Sequence, residues 1–231
     1  MNMTPKPTLL KILDVASVLL LAVAAYLALV YAGTEQIMGD VQRVFYFHIG
    51  TAWTGLLGFL FSAGLGITYL VKKDLKWDVM EVAAVEISVV FFFITIILGS
   101  IWARPAWNTW WTWDPRLTTA AITELVYVAY FMLRSGVEDP DRRARFGAVY
   151  AVLGGISAPI TFLTIRLFRS IHPIIIAGGK NQQTMNMTSD MKVAFFFALF
   201  TFTVIFIDLF WNRIRLGQLE AQVEQLKLKV M

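Results

Sequence analysis

Only two histidines occur in the 231 residues, His48 and His172. Between them lies residues 102–116, WARPAWNTWWTWDPR, which holds five of the eight Trp together with two Arg, two Pro and one Asp. These types do complementary chemistry. A neutral imidazole is a metal ligand. An indole offers a flat apolar face with one N–H donor. A guanidinium pairs with carboxylates through parallel hydrogen bonds. Brought together, they would hold a large, flat, apolar ligand that carries acid groups.

Each of these residues has two readings. Imidazole is a common ligand of haem iron. His48 alone also fits a satisfied polar group inside a bundle, and His172 an exposed loop residue. Arg104 and Arg116 bracket the Trp cluster, and Arg43 precedes His48 by five residues. They match the two propionates of haem, or else they flank a membrane and snorkel to lipid phosphate. Trp is enriched in belts at bilayer surfaces. A belt accounts for Trp53, Trp77 and Trp211 but poorly for a cluster such as Trp107, Trp110, Trp111 and Trp113. If the segment is helical, Trp107, Trp110 and Trp111 share one face. Asp114 precedes Pro115, which disfavours helix there, and is expected to orient Arg116 or an indole N–H. Glu124 is an ionisable residue within an apolar run and a functional candidate by default. It could pair with an Arg at the site or stay protonated.

The elements that must position these groups are membrane spans. Hydrophobic residues make up 58 % of the chain and the mean hydropathy is +0.64. Six apolar runs are expected to cross a bilayer, each near the required length of about 18–20 residues. They cover roughly 15–32, 45–71, 87–103, 117–133, 146–165 and 193–211. The second must tilt or project, and Pro159 is an expected kink in the fifth. The expected fold class is an all-α integral membrane protein, a bundle of six transmembrane helices with a Trp-rich segment at the membrane surface between helices 3 and 4. Residues 1–212 would form the membrane domain and 213–231 a cytoplasmic helical tail.

The net charge of +4 reflects loop placement and does not point to nucleic acid. Thirteen Lys and Arg lie at the N-terminus, in 72–78, in 134–145 and in the tail, against seven in the other loops. The positive-inside rule then puts both termini in the cytoplasm and His48, His172 and the Trp segment on the opposite face. The first run lacks a following cleavage site and reads as a retained span. The absence of Cys excludes disulfides, thiolate metal sites and self-attached c-type haem. In the tail, Leu216, Leu219, Val223, Leu226 and Val230 form a heptad stripe of about two heptads. It reads as an extension of the sixth helix, or as a docking site for a partner helix. No nucleotide-binding loop is present.

The order Trp102, Trp107-Asn-Thr-Trp110-Trp111-Thr-Trp113-Asp114-Pro-Arg116, with one His before and one after, resembles the "WWD" signature of haem-handling proteins of cytochrome c biogenesis. Within that group the chain looks most like the C component of the cytochrome c maturation system. The similarity covers nearly the whole chain. It implies haem b bound transiently at the periplasmic face of the inner membrane, with His48 and His172 as axial iron ligands. The WWD segment would be the haem platform and the contact for a membrane-anchored periplasmic haem chaperone, the E component. It implies work beside ABC transporter subunits, the A and B components, and a small single-span protein, the D component. Larger relatives carry further His within the bilayer, which this chain lacks. Many relatives also have paired Trp before the second His and a Gln after it, whereas here the segment reads Arg166-Leu-Phe-Arg-Ser-Ile-His172-Pro173.

The expected role is therefore non-enzymatic haem binding and delivery. Two other classes compete. A haem b electron-transfer subunit would place its His inside the hydrocarbon. A scaffold with an interfacial aromatic anchor would need no His pair.

Overall fold

The computed structural model describes residues 5–36, 38–173 and 187–230; within the last helix the side chains at 221, 224, 225 and 228–230 fall outside that description. The expected loop residues Gly178, Gly179 and Lys180 also lie outside it. The described chain is all helical in its regular structure. α1, Thr8–Tyr26, runs on into a π-helical turn, Leu27–Tyr31; α2 is Gln42–Lys72, α3 Leu75–Trp107, α4 Pro115–Ser135, α5 Pro140–Leu167 and α6 Ser189–Val230. All six are long and apolar enough to cross a membrane. The protein is a multi-pass membrane protein.

The helix starts follow from local chemistry. Asp74, Asp114 and Asp139 each accept a backbone N–H of the first turn, from Lys76, Arg116 and Arg142. Pro115 and Pro140 follow directly. A Pro at the first helical position has the right φ and forfeits an N–H that had no partner there. Lys73 and Asn108, both at φ 54°, end α2 and α3 in the left-handed conformation.

Two expectations are corrected. The charged turn expected over 72–78 shrinks to Lys73 and Asp74, because α3 begins at Leu75 and not near residue 87. Its early charges are neutralised within the bundle, so they do not stop the helix. Arg134 of α4 grips Asp78 with two bonds of 2.6 and 2.9 Å and lies 3.9 Å from Glu81, which accepts from Tyr130 at 3.2 Å. Glu86 pairs with Arg213 of α6. The Trp segment is likewise not one helical turn. Its first six residues, with Pro105, extend α3, and the rest is a bend that leads to the Asp114 cap.

α2 sits centrally, packed on α3, α5 and α6; α4 packs mainly on α5, and α1 on α6. Phe59 of α2 stacks on Tyr127 of α4 with ring centroids 4.0 Å apart and planes 9° off parallel. Small residues set the α2–α5 spacing: a Cβ at Gly155 would come within 2.4 Å of the Ala63 Cβ. Such close backbone approach is how apolar helices associate where water supplies no driving force. Among the described residues, Gly33 bonds Asp190 and Asp114 bonds Ser170 and Ile171, so the connections after the first, third and fifth helices meet at one end; Asp14 bonds Asn212 toward the other. The junction of 212 and 213 lies inside the unbroken α6.

Candidate haem site

His48 stands in the second turn of α2, half-buried, with Nδ1 donating to the Thr95 carbonyl of α3 at 3.0 Å. That carbonyl can only accept, so Nδ1 carries the proton and Nε2 keeps its lone pair. Gly99 makes room for the ring. A Cβ there would lie 2.9 Å from the His48 Cε1. Thr95 is tied in turn to Thr51 of α2 by a hydroxyl bond of 2.9 Å.

His172 comes from the loop after α5 and solves the same problem in the same way. Its Nδ1 donates to the Pro173 carbonyl at 3.1 Å, which leaves Nε2 as the free nitrogen. Its ring meets Trp107 edge-on at 6.2 Å between centroids, and Trp107 meets Trp102 at 5.6 Å. Burial, then repulsion from Arg116 and His48, pushes the His172 imidazole down to about 3, partly offset by its bond to the Pro173 carbonyl. At neutral pH it is an uncharged base, the form that ligates metal.

Both imidazoles line one cleft. Trp102, Trp107, Trp110, Trp111 and Arg116 form its mouth with the two His; Leu56, Phe92, Ile96, Leu117 and Ala120 continue it as an apolar shaft between α2, α3 and α4. Three residues of the mouth hold buried donors with no partner among the described residues: Trp102 Nε1, Trp111 Nε1 and Arg116 Nη1. A buried unpaired donor is costly, and a buried unpaired cation more so. Three around one cleft are suited to an acidic ligand with apolar faces. Haem has that chemistry.

The remaining candidates stand elsewhere. Arg104 is exposed and donates to the Asn108 carbonyl at 2.8 Å, capping the end of α3. Arg43 pairs with Asp40 at 3.0 Å and reaches Thr34 at 3.4 Å. Trp113 is 77 % exposed, outside the cleft lining, and borders a shallow depression by Ser170 and Ile171. Asp114 caps α4 and bonds the loop that carries His172. Glu124 has a buried Oε2 with no partner among the described residues and forms no ion pair there. Gly99 and Thr95 escaped the reading of the sequence. A glycine four residues beyond a threonine in an apolar run is an ordinary membrane pattern, and only the neighbouring helix reveals its use.

Fold and site together define a six-span membrane protein with a donor-rich aromatic cleft at one end of the bundle. The family model described as Heme exporter protein C matches residues 2–229. The chain belongs to that family. Among relatives, it is 29 % identical to Heme exporter protein C of Bradyrhizobium diazoefficiens over 94 % of this chain and 81 % of the relative. It is 26 % identical to Heme exporter protein C of Escherichia coli K12 over 88 % and 81 %. It is 31 % identical to that of Paracoccus denitrificans over 52 % and 50 %.

Proposed function

We propose that this protein binds haem at the periplasmic face of the inner membrane and delivers it to a periplasmic haem chaperone for c-type cytochrome maturation. Family membership supports haem handling in cytochrome c maturation. The observation that carries the rest is the convergence of both His, from α2 and from the loop after α5, on one cleft paved by four Trp. Residues 124 positions apart in sequence have no local reason to meet there. His48 and His172 are the axial ligands of haem b, Arg116 pairs with a propionate, and the Trp rings enclose the macrocycle. Trp110 and Trp113, both exposed, offer the chaperone a contact. The A, B and D components are the remaining partners, and both termini are cytoplasmic.

Delivery requires that the grip be divisible. Iron ligation, ion pairing and ring packing each contribute part of the binding free energy, so a partner can displace them in turn. The test is the absorption spectrum of purified, haem-loaded protein. A bis-His low-spin spectrum is expected, changed in His48→Ala and in His172→Ala, with loss of haem transfer to the purified chaperone. A wild-type spectrum and full haem content in both variants would overturn the ligand assignment.

A further inference from the structure

Asp114 sits at the junction of the two segments that build the mouth of the cleft. Its Oδ1 accepts from the Arg116 backbone N–H at 2.9 Å and from the Ser170 hydroxyl at 3.0 Å. Its Oδ2 accepts from the Ile171 N–H at 3.0 Å. The Ser170 oxygen accepts in turn from the His172 N–H at 3.1 Å. One carboxylate thus holds the start of α4, which sets Arg116, and two consecutive residues just before His172. The loop from Phe168 to Pro173 has no regular structure of its own. The bond from His172 to Pro173 fixes the ring against its own backbone but does not fix that backbone in space. Trp107 touches the ring but supplies no hydrogen bond to it among the described residues. The side chain of Asp114 is outside the cleft lining, so it has no direct contact to offer a ligand there.

We propose that Asp114 is a positioning residue whose carboxylate, through Ser170 and Ile171, holds His172 in register with His48 across the cleft. This rests on the reading of the two His as iron ligands. A carboxylate suits the task because it accepts at both oxygens at once. An asparagine in its place would turn an NH₂ toward one of the N–H groups. Loss of a group that orients a ligand typically costs about 10- to 100-fold in metal-site affinity.

The experiment uses the full chain, purified and loaded with haem, and follows coordination by absorption and electron paramagnetic resonance. In Asp114→Ala, haem is expected to stay on His48 while the low-spin bis-His signal gives way to a five-coordinate high-spin one. Added imidazole should restore the low-spin signal by filling the vacated position. Asp114→Asn should fall between, and Ser170→Ala, which spares the α4 cap, should shift the balance the same way by less. If Asp114→Ala does not fold, Ser170→Ala decides. His172→Ala separates the two claims. Should it keep a six-coordinate spectrum, the ligand reading fails and this inference with it. Should it become five-coordinate while Asp114→Ala and Ser170→Ala stay wild-type in spectrum and affinity, the positioning role alone is overturned. A loss of coordination in Asp114→Ala that imidazole fails to repair would equally overturn it.

Discussion

At the residue scale, the site depends on small and polar neighbours that set each imidazole as well as on the imidazoles themselves. Gly99 leaves a gap that the His48 ring fills, with the Thr95 carbonyl beyond it. Gly99→Ala would place a methyl group 2.9 Å from the His48 Cε1. The ring must then move off the Thr95 carbonyl. The expected outcome is weakened low-spin haem absorption with helical content unchanged by circular dichroism. Arg116→Leu removes a cation that has an unpaired buried nitrogen. Hydrogen bonds to charged groups contribute about 1.5–3 kcal/mol, so haem affinity measured by titration should fall roughly ten-fold or more. His172 also makes a pH prediction. Its folded-state value lies near 3, below the ordinary value near 6.5. The unfolded chain therefore takes up the proton first, and the stability from the neutral folded imidazole is lost as pH falls from about 6.5 toward 3. A melting curve of the haem-free protein should decline across that window by more in the wild type than in His172→Ala. The sequence displayed the two His, the Trp and Arg116, because rare residue types stand out in an apolar chain. It could not separate Arg116 from Arg43 and Arg104, since all three flank spans. Only the turn at Asn108 and the Asp40 pair turn the latter two to other tasks.

At the element scale, hydropathy made the six helices legible, because a span must satisfy every backbone group within itself. It was weakest at the ends, where charge argued for loop and the bundle supplied partners instead. Asp78, Glu81 and Glu86 are in α3 because Arg134, Tyr130 and Arg213 meet them there. Arg134 is 12 % exposed at its side chain and joins α4 to α3 where those helices otherwise touch little. Arg134→Ala would strand the Asp78 and Glu81 carboxylates. Breaking a buried pair on one side costs about 3–5 kcal/mol, so a clear drop in melting temperature is expected. A double variant that also replaces Asp78 with Asn should recover part of that drop. The same low-contact seam between α3 and α4 is where the apolar shaft of the cleft runs. Arg134, through Asp78, holds that seam at one end.

At the scale of the whole molecule, an even number of spans puts the start of α1 and the end of α6 on one side, and the two loops that carry the Trp segment and His172 on the other. The proposed cytoplasmic placement of the termini rests on the excess of Lys and Arg at that end, thirteen against seven. Single cysteines introduced at Trp113 and at Lys227 into this cysteine-free chain give the check. In spheroplasts, an impermeant thiol reagent should label the first and reach the second only after the membrane is opened. Labelling in the reverse order would invert the assignment of the cleft. Packing and orientation answer to different physics: contacts fix which loops share an end, and charge alone fixes which compartment that end meets.

The last helix is longer than a membrane is thick. At about 1.5 Å per residue its 42 residues run about 63 Å, roughly twice the hydrocarbon span. No proline interrupts it, and its first turn at Asp190 is bonded to Gly33 in the loop after the first span. One unbroken helix therefore runs from the loops beside the cleft to well past the opposite surface of the bilayer.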